Sequence, residues 1–272
     1  MSSTTYPLDC DKLQIVDLDA DEYGNFIALM SNMEVWTNGL QLPLPHQFRY
    51  GWIRELDAER FLLIGEQVGS TSDTGHIFDY TGRKILSFDA GRYIADVLVQ
   101  ANRIVVSYFD QGAGDKPPGG DGIAVFNFMG QQVFGHLSGG HGFILDCYCM
   151  CKLGKDSILA YTYTDFPLRE LRLTDYRLTQ QPTPAEFKGS YALTFDRGNV
   201  VFYSSYADNN SFFWWNRKDK VQRFGHFELG ARGEMAARIR GIGAGKFLTY
   251  DLNSFSIVDA MDIMREERHY KK

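Results

Sequence analysis

The chain has 272 residues, 44% of them hydrophobic and 14% aromatic, with 27 Gly and 8 Pro. Its formal net charge is −6 and its Lys and Arg are scattered, which excludes the clustered basic face of a nucleic-acid binder. No apolar run reaches the roughly 18 residues of a membrane span, and Met1-Ser-Ser-Thr-Thr-Tyr-Pro7 shows no secretory pattern, so neither membrane nor export is expected.

Apolar residues recur mostly with period two, in short runs broken by Gly, Asn and Asp, which predicts strands throughout. A first series starts near Ile15 and continues through an Asp-rich turn at Gly24-Asn25 into Phe26–Met30 and Glu34–Trp36. Asp17 to Ala28 looks superficially like a calcium loop, but Glu22 stands where Gly is required and Ala28 where Glu is required. A second series starts near Trp52 and ends in the hairpin Ile77–Phe88, two strands about an Asp79-Tyr-Thr-Gly82 turn. The third starts near Ile94 and ends in the same layout, Val125–Phe134 about Asn127-Phe-Met-Gly130. The fourth starts near Ile144, and the fifth near Tyr191 with a looser hairpin, Phe212–Phe224, about Asn216. A sixth starts near Arg238 and supplies only three strands. The segment Thr4–Leu8 is expected to complete that last unit as its outer strand, where Pro7 costs little for lack of an N–H. The tail 261–272 is charged and helix-like.

Units of roughly 40–50 residues with four strands each match propeller blades. The chain resembles the β-propeller superfamily in its non-WD form, with divergent blades and none of the Gly-His and Trp-Asp marks of WD repeats. The expected fold is all-β, a six-bladed propeller over residues 1–272 as a single domain, with five or seven blades as alternatives.

Cys147, Cys149 and Cys151 alternate along one predicted strand, and Cys10 is distant in sequence. Such spacing suits neither a disulfide framework nor a zinc knuckle. Free thiols in a reducing, cytoplasmic setting fit better.

The first strands carry acids in similar contexts: Asp17, Glu55, Asp96 and Asp146. Converging in a propeller channel, they would hold a hard cation, calcium, or one basic side chain, and Arg240 stands near the equivalent place in the sixth unit. The bland reading has each carboxylate accepting backbone N–H bonds at its own strand end. The ring resembles the metal centre of regucalcin-type propeller lactonases, though their asparagine ligands are absent at these places.

The loop Asp110 to Gly122, with Asp115 and Asp121, is the longest non-apolar connection and is expected to be solvated. Tyr161, Tyr163 and Asp165, and Tyr206 further on, mix rings with small polar residues as recognition surfaces do. No His stands in a metal-site spacing, and Gly241 to Phe247 fails the phosphate-loop pattern at two positions. The leading expectation is a non-enzymatic, acidic module that binds a protein partner, in its specific form a bacterial toxin-neutralising immunity protein, with no cofactor. The alternatives are a metal-dependent, lactonase-like hydrolase and a sugar-binding propeller. Oligomeric state is not legible.

Overall fold

Asp and Asn punctuate the chain, and each does the same mechanical work. In the computed structural model, which describes residues 3–69, 73–227 and 238–270, the Asp79 carboxylate accepts from the backbone N–H groups of Thr81 (3.0 Å) and Arg83 (3.1 Å). Asn127 holds Met129 and Gln131 the same way, and Asn216 holds Lys218 and Lys220. Asp21 repeats the pattern on Tyr23 and Asn25. A short side chain that mimics a backbone acceptor fixes the turn before the strands pair. Gly82, at φ 85°, takes the left-handed position that such a turn requires.

Between these turns lie twenty-four strands and, among the described residues, six four-stranded sheets. Strand β1 is Ser3–Pro7. The first sheet holds β2 (Ile15–Ala20), β3 (Phe26–Met30), β4 (Glu34–Thr37) and β5 (Gln41–Pro43). The second holds β6 (Phe48–Asp57), β7 (Arg60–Gln67), β8 (Gly75–Asp79) and β9 (Lys84–Phe88). The third holds β10 (Ile94–Gln100), β11 (Arg103–Tyr108), β12 (Ile123–Asn127) and β13 (Gln132–Gly135). The fourth holds β14 (Asp146–Leu153), β15 (Ser157–Tyr163), β16 (Leu168–Arg172) and β17 (Leu178–Gln181). The fifth holds β18 (Ala192–Asp196), β19 (Asn199–Tyr203), β20 (Ser211–Trp215) and β21 (Val221–His226). The sixth holds β22 (Arg238–Gly243), β23 (Lys246–Tyr250) and β24 (Ser254–Asp259), with β1 as its outer strand. Helix α1 (Ala260–Tyr270) follows, as the charged tail predicted. Lys271 and Lys272, the last residues of the predicted tail, lie outside the described residues.

Six four-stranded sheets in succession make this a six-bladed β-propeller. The chain divides into two compact units: residues 10–147, with blades one to three, and residues 1–9 with 148–272, with blades four to six. Within each unit, period two sends neighbouring residues of one strand to different cores. Along β7, Phe61 and Leu63 pack with Ile27, Leu29 and Val35 of the first blade. Leu62 and Ile64, between them in sequence, pack with Val97, Ile104 and Val106 of the third. In the other unit, Val200 and Phe202 of β19 join Leu159 and Tyr161, while Val201 and Tyr203 join Phe247 and Val258. The middle strands thus bury both faces, which is why they read as apolar runs.

The sixth blade closes as expected. Strand β1 pairs antiparallel with β24 from Ser3↔Val258 to Pro7↔Ser254, and Tyr6 stacks on Phe255 at 4.7 Å. All four cysteines are buried thiols outside any disulfide.

His76 is buried between Phe48 (ring centroids 5.0 Å apart) and its hydrogen-bond partners Ser87 and Gly65. Burial, helped by Lys84, pulls its pKa down to about 4. Its unfolded imidazole takes a proton near pH 6.5 and the folded one does not, so stability is full above about pH 6.5 and falls as pH drops toward 4. Urea denaturation at pH 7.0 and 5.5 should show that loss in the wild type and a smaller loss in His76→Gln. Removing the first seven residues should uncover the outer edge of β24, lowering the melting temperature and raising light scattering on heating.

Candidate functional site

In each four-stranded blade, the first strand begins at the same end as the loop joining the second and third strands. In their own blades Asp17, Asp96 and Asp146, the long loop and the aromatic loops singled out from the sequence lie at that end, and Glu55 lies at the other.

The acids are not alike. Asp17 and Asp96 each follow a bulge in their strand, after Ile15 and Ile94 respectively. Both are drawn to Arg54 of β6, the strand between them, against which β2 and β10 pack. Asp17 and Arg54 are each 1% exposed. Arg54 Nη1 donates to Asp17 Oδ2 at 2.5 Å and to the Ile53 carbonyl, Nε donates to the Val97 carbonyl at 2.6 Å, and Nη2 lies 3.5 Å from Asp96 Oδ1. Asp17 Oδ2 also accepts from the Ile53 N–H at 2.7 Å, and Asp96 Oδ1 from the Val97 N–H at 2.8 Å. Three first strands are therefore cross-linked through one guanidinium. Two of the four acids thus both accept a backbone N–H and face one basic side chain. That side chain is Arg54, which sequence reasoning passed over although an Arg in the apolar context Trp52-Ile53-Arg54 was a visible signal.

Glu55 is set apart. It stands opposite Phe61 beyond the corresponding bulge in β6, is exposed, and helps raise the pKa of Tyr80. Asp146 opens β14 with its Oδ1 buried and without a hydrogen-bond partner among the described residues. Burial, with Asp110 adding repulsion, lifts its pKa above the usual carboxylate range. Arg240 lies on β22 opposite Leu248, in the other unit.

The loop 110–122 differs from its solvated expectation. It folds into two 3-10 turns, Asp110–Gly112 and Gly119–Asp121, tied by backbone bonds such as Ala113 N–H to Asp110 (3.0 Å) and Asp121 N–H to Pro118 (3.1 Å). Asp121 is buried, and its carboxylate takes the Ser138 N–H at 2.7 Å and Gln132 Nε2 at 2.6 Å. It is a structural rivet. Asp110 and Asp115 remain exposed.

The aromatic loops also split. Tyr161 is 0% exposed and packs on Phe202 at 4.9 Å. Tyr163 and Tyr206 are exposed, Tyr206 by 66%. Phe166 anchors them from below, at 5.3 Å from Tyr163, 5.1 Å from Tyr148 and 5.9 Å from Tyr206. The Tyr148 and Tyr206 hydroxyls are hydrogen-bonded to one another. Asp165 and Phe166 both hold left-handed φ values, 66° and 52°, and that strain is what turns Phe166 inward and Asp165 outward. Gly189 lets the Tyr206 ring approach where a Cβ would sit 2.3 Å from it.

Exposed large aromatics among the described residues are Tyr23, Tyr93, Phe109, Phe143, Tyr163, Tyr191 and Tyr206. All but Tyr23 lie at the first-strand end of their own blade: in the unit 10–147, Tyr93, Phe109 and Phe143 around the third blade; in the other unit, Tyr163 at the end of β15 and Tyr191 and Tyr206 in connections of the fifth blade. Large rings left in water on the neighbouring fourth and fifth blades are the composition of an interaction surface.

No protein-family model matches the chain, and no curated protein matches its sequence. Solved structures do. Hsv2 of Kluyveromyces lactis is similar at a TM-score of 0.57 and 14% identity, covering 88% of this chain and 72% of its own. The WD40 repeats of RRP9 are similar at 0.54 and 12%, covering 90% and 76%. Virginiamycin B lyase from Staphylococcus aureus is similar at 0.52 and 8%, covering 94% and 98%. At such identities the likeness establishes the fold, the β-propeller, and leaves chemistry to the residues.

Replacing Arg54 by Leu leaves the buried Asp17 carboxylate without its cation and should cost about 3–5 kcal/mol. Adding Asp17→Asn should recover part of that loss in urea denaturation, a recovery that separate, unlinked roles would not give.

Proposed function

We propose that this propeller is a non-enzymatic protein-binding module whose partner docks on the aromatic loops of the fourth and fifth blades. The observation that carries the reading is the exposure of Tyr163, Tyr191 and Tyr206 at the first-strand end of those blades, with Tyr163 and Tyr206 braced by Phe166. Braced rings offer large contact area at low entropy cost. The exposed Asp165 carboxylate in the same loop as Tyr163, together with a net charge of −6, favours a partner with a basic face. Toxin neutralisation in the cytoplasm, as an immunity protein, is the specific form of this reading. What supports it is an acidic chain with buried thiols outside any disulfide and no catalytic motif.

A metal-dependent hydrolase fits less well. A divalent ion between Asp17 and Asp96 would have to displace the Arg54 guanidinium that both face. Among the described residues no His, Cys, Asp or Glu group has the geometry to hold a metal.

The test is capture from the lysate of the native organism with three baits: wild type, Tyr163→Ala/Tyr206→Ala, and Tyr23→Ala. A protein retained by the wild type and by Tyr23→Ala, and lost by at least about tenfold from the double variant, carries the reading. Equal retention by all three overturns it.

A further inference from the structure

The fourth blade carries a cavity apart from both the ion cluster and the aromatic loops. It measures about 330 Å³ and is lined by Asp156, Ser157, Glu170, Arg172, Arg177 and Thr179. Small-ligand sites occupy roughly 300–1,000 Å³, so the volume admits a compact molecule.

Strand register builds the lining. Ser157 of β15 stands opposite Arg172 of β16, and the Arg172 N–H donates to the Arg177 carbonyl at 3.0 Å on the next rung outward. Glu170 stands opposite Thr179 on the same face. Two guanidiniums therefore neighbour one another across the edge pair, an arrangement that costs stability until an anion lies between them. Arg172 has Asp175 on one side at 2.9 Å, in an exposed turn. For the Arg177 side chain there is no acceptor among the described residues. Glu170 is already engaged, by Arg217 Nη2 at 3.0 Å. Among the described residues the Asp156 carboxylate, at the far side of the row, is held by neutral donors, Ser157 Oγ at 3.2 Å and Thr174 Oγ1 at 3.3 Å. Asp156 thus lies at one side of the cavity, one strand spacing from Arg172 and two, roughly 10 Å, from Arg177, with the Ser157 hydroxyl beside it.

The geometry points to a binding site for a small zwitterion of dipeptide size, its carboxylate on Arg172 and Arg177 and its ammonium on Asp156. Two forked guanidiniums suit a carboxylate, and a carboxylate with no cation of its own suits an ammonium. The site stands independently of the partner surface, since none of its residues belongs to the aromatic loops.

Calorimetry and ligand-observed NMR with glycylglycine, N-acetylglycylglycine and glycylglycine amide test it. Saturable binding of glycylglycine at millimolar concentration or below is expected, weakened at least about tenfold by either cap, by Arg177→Ala and by Asp156→Asn. Arg177 is exposed and Asp156 half-buried, and a matching melting temperature shows that the fold is kept. Absent binding of glycylglycine overturns the proposal, as does unchanged binding in Arg177→Ala. Equal binding of the acetylated form overturns it in favour of a plain anion site.

Discussion

A four-stranded sheet that is apolar on both faces has no stable existence alone, and this constraint governs the whole chain. Along β7 the side chains alternate between the core shared with the first blade, through Phe61 and Leu63, and the core shared with the third, through Leu62 and Ile64. Along β19 the same division runs between Val200 and Phe202 on one side and Val201 and Tyr203 on the other. Each buried side chain of this size contributes about 1.5–3 kcal/mol, realised only when the neighbouring blade is in place. The middle strands are thereby committed to packing, and chemistry is displaced to their ends and to the loops.

The ends of the first strands show what that displacement allows. Arg54 enters the interior because β2, β6 and β10 lie side by side and offer it two carboxylates and two carbonyls. Its placement in an apolar strand is costly unless every donor is used, and a wrong pairing of the first strands would strand it. The cluster therefore specifies which strands adjoin more than it adds stability. By contrast, Tyr163 and Tyr206 stay in water although Phe166 beneath them is buried, so the same loops hold both a structural ring and free ones.

Much of this fold was legible from sequence because turn chemistry is local. Asp79, Asn127 and Asn216 announce their hairpins through side chains that reach only a few residues. First strands expected near Ile15, Ile94 and Arg238 begin there, and those expected near Trp52, Ile144 and Tyr191 begin at Phe48, Asp146 and Ala192. The sites were less legible because their partners are distant in sequence. Nothing near Asp17 reveals that its cation lies in the next blade. Nothing near Asp121 reveals that Ser138 and Gln132 will bury it. Tyr161 and Tyr163 look alike in sequence and share a face by the pleat, but Tyr161 pairs opposite Leu168 within the sheet while Tyr163 stands at the end of β15, beyond the last pair with β16.

The pairing of β1 with β24 orders events in time. Ser3–Pro7 leave the ribosome long before their hydrogen-bonding partner, Ser254–Asp259. In that interval the early segment is a strand without a mate, and the sixth sheet waits until the strands of the other five have been made. Such a long-range clasp is slow to form, because the loop to be closed runs through every other blade. Once fastened, it makes β1 and β24 hold each other, so fraying of either strand must first break that sheet.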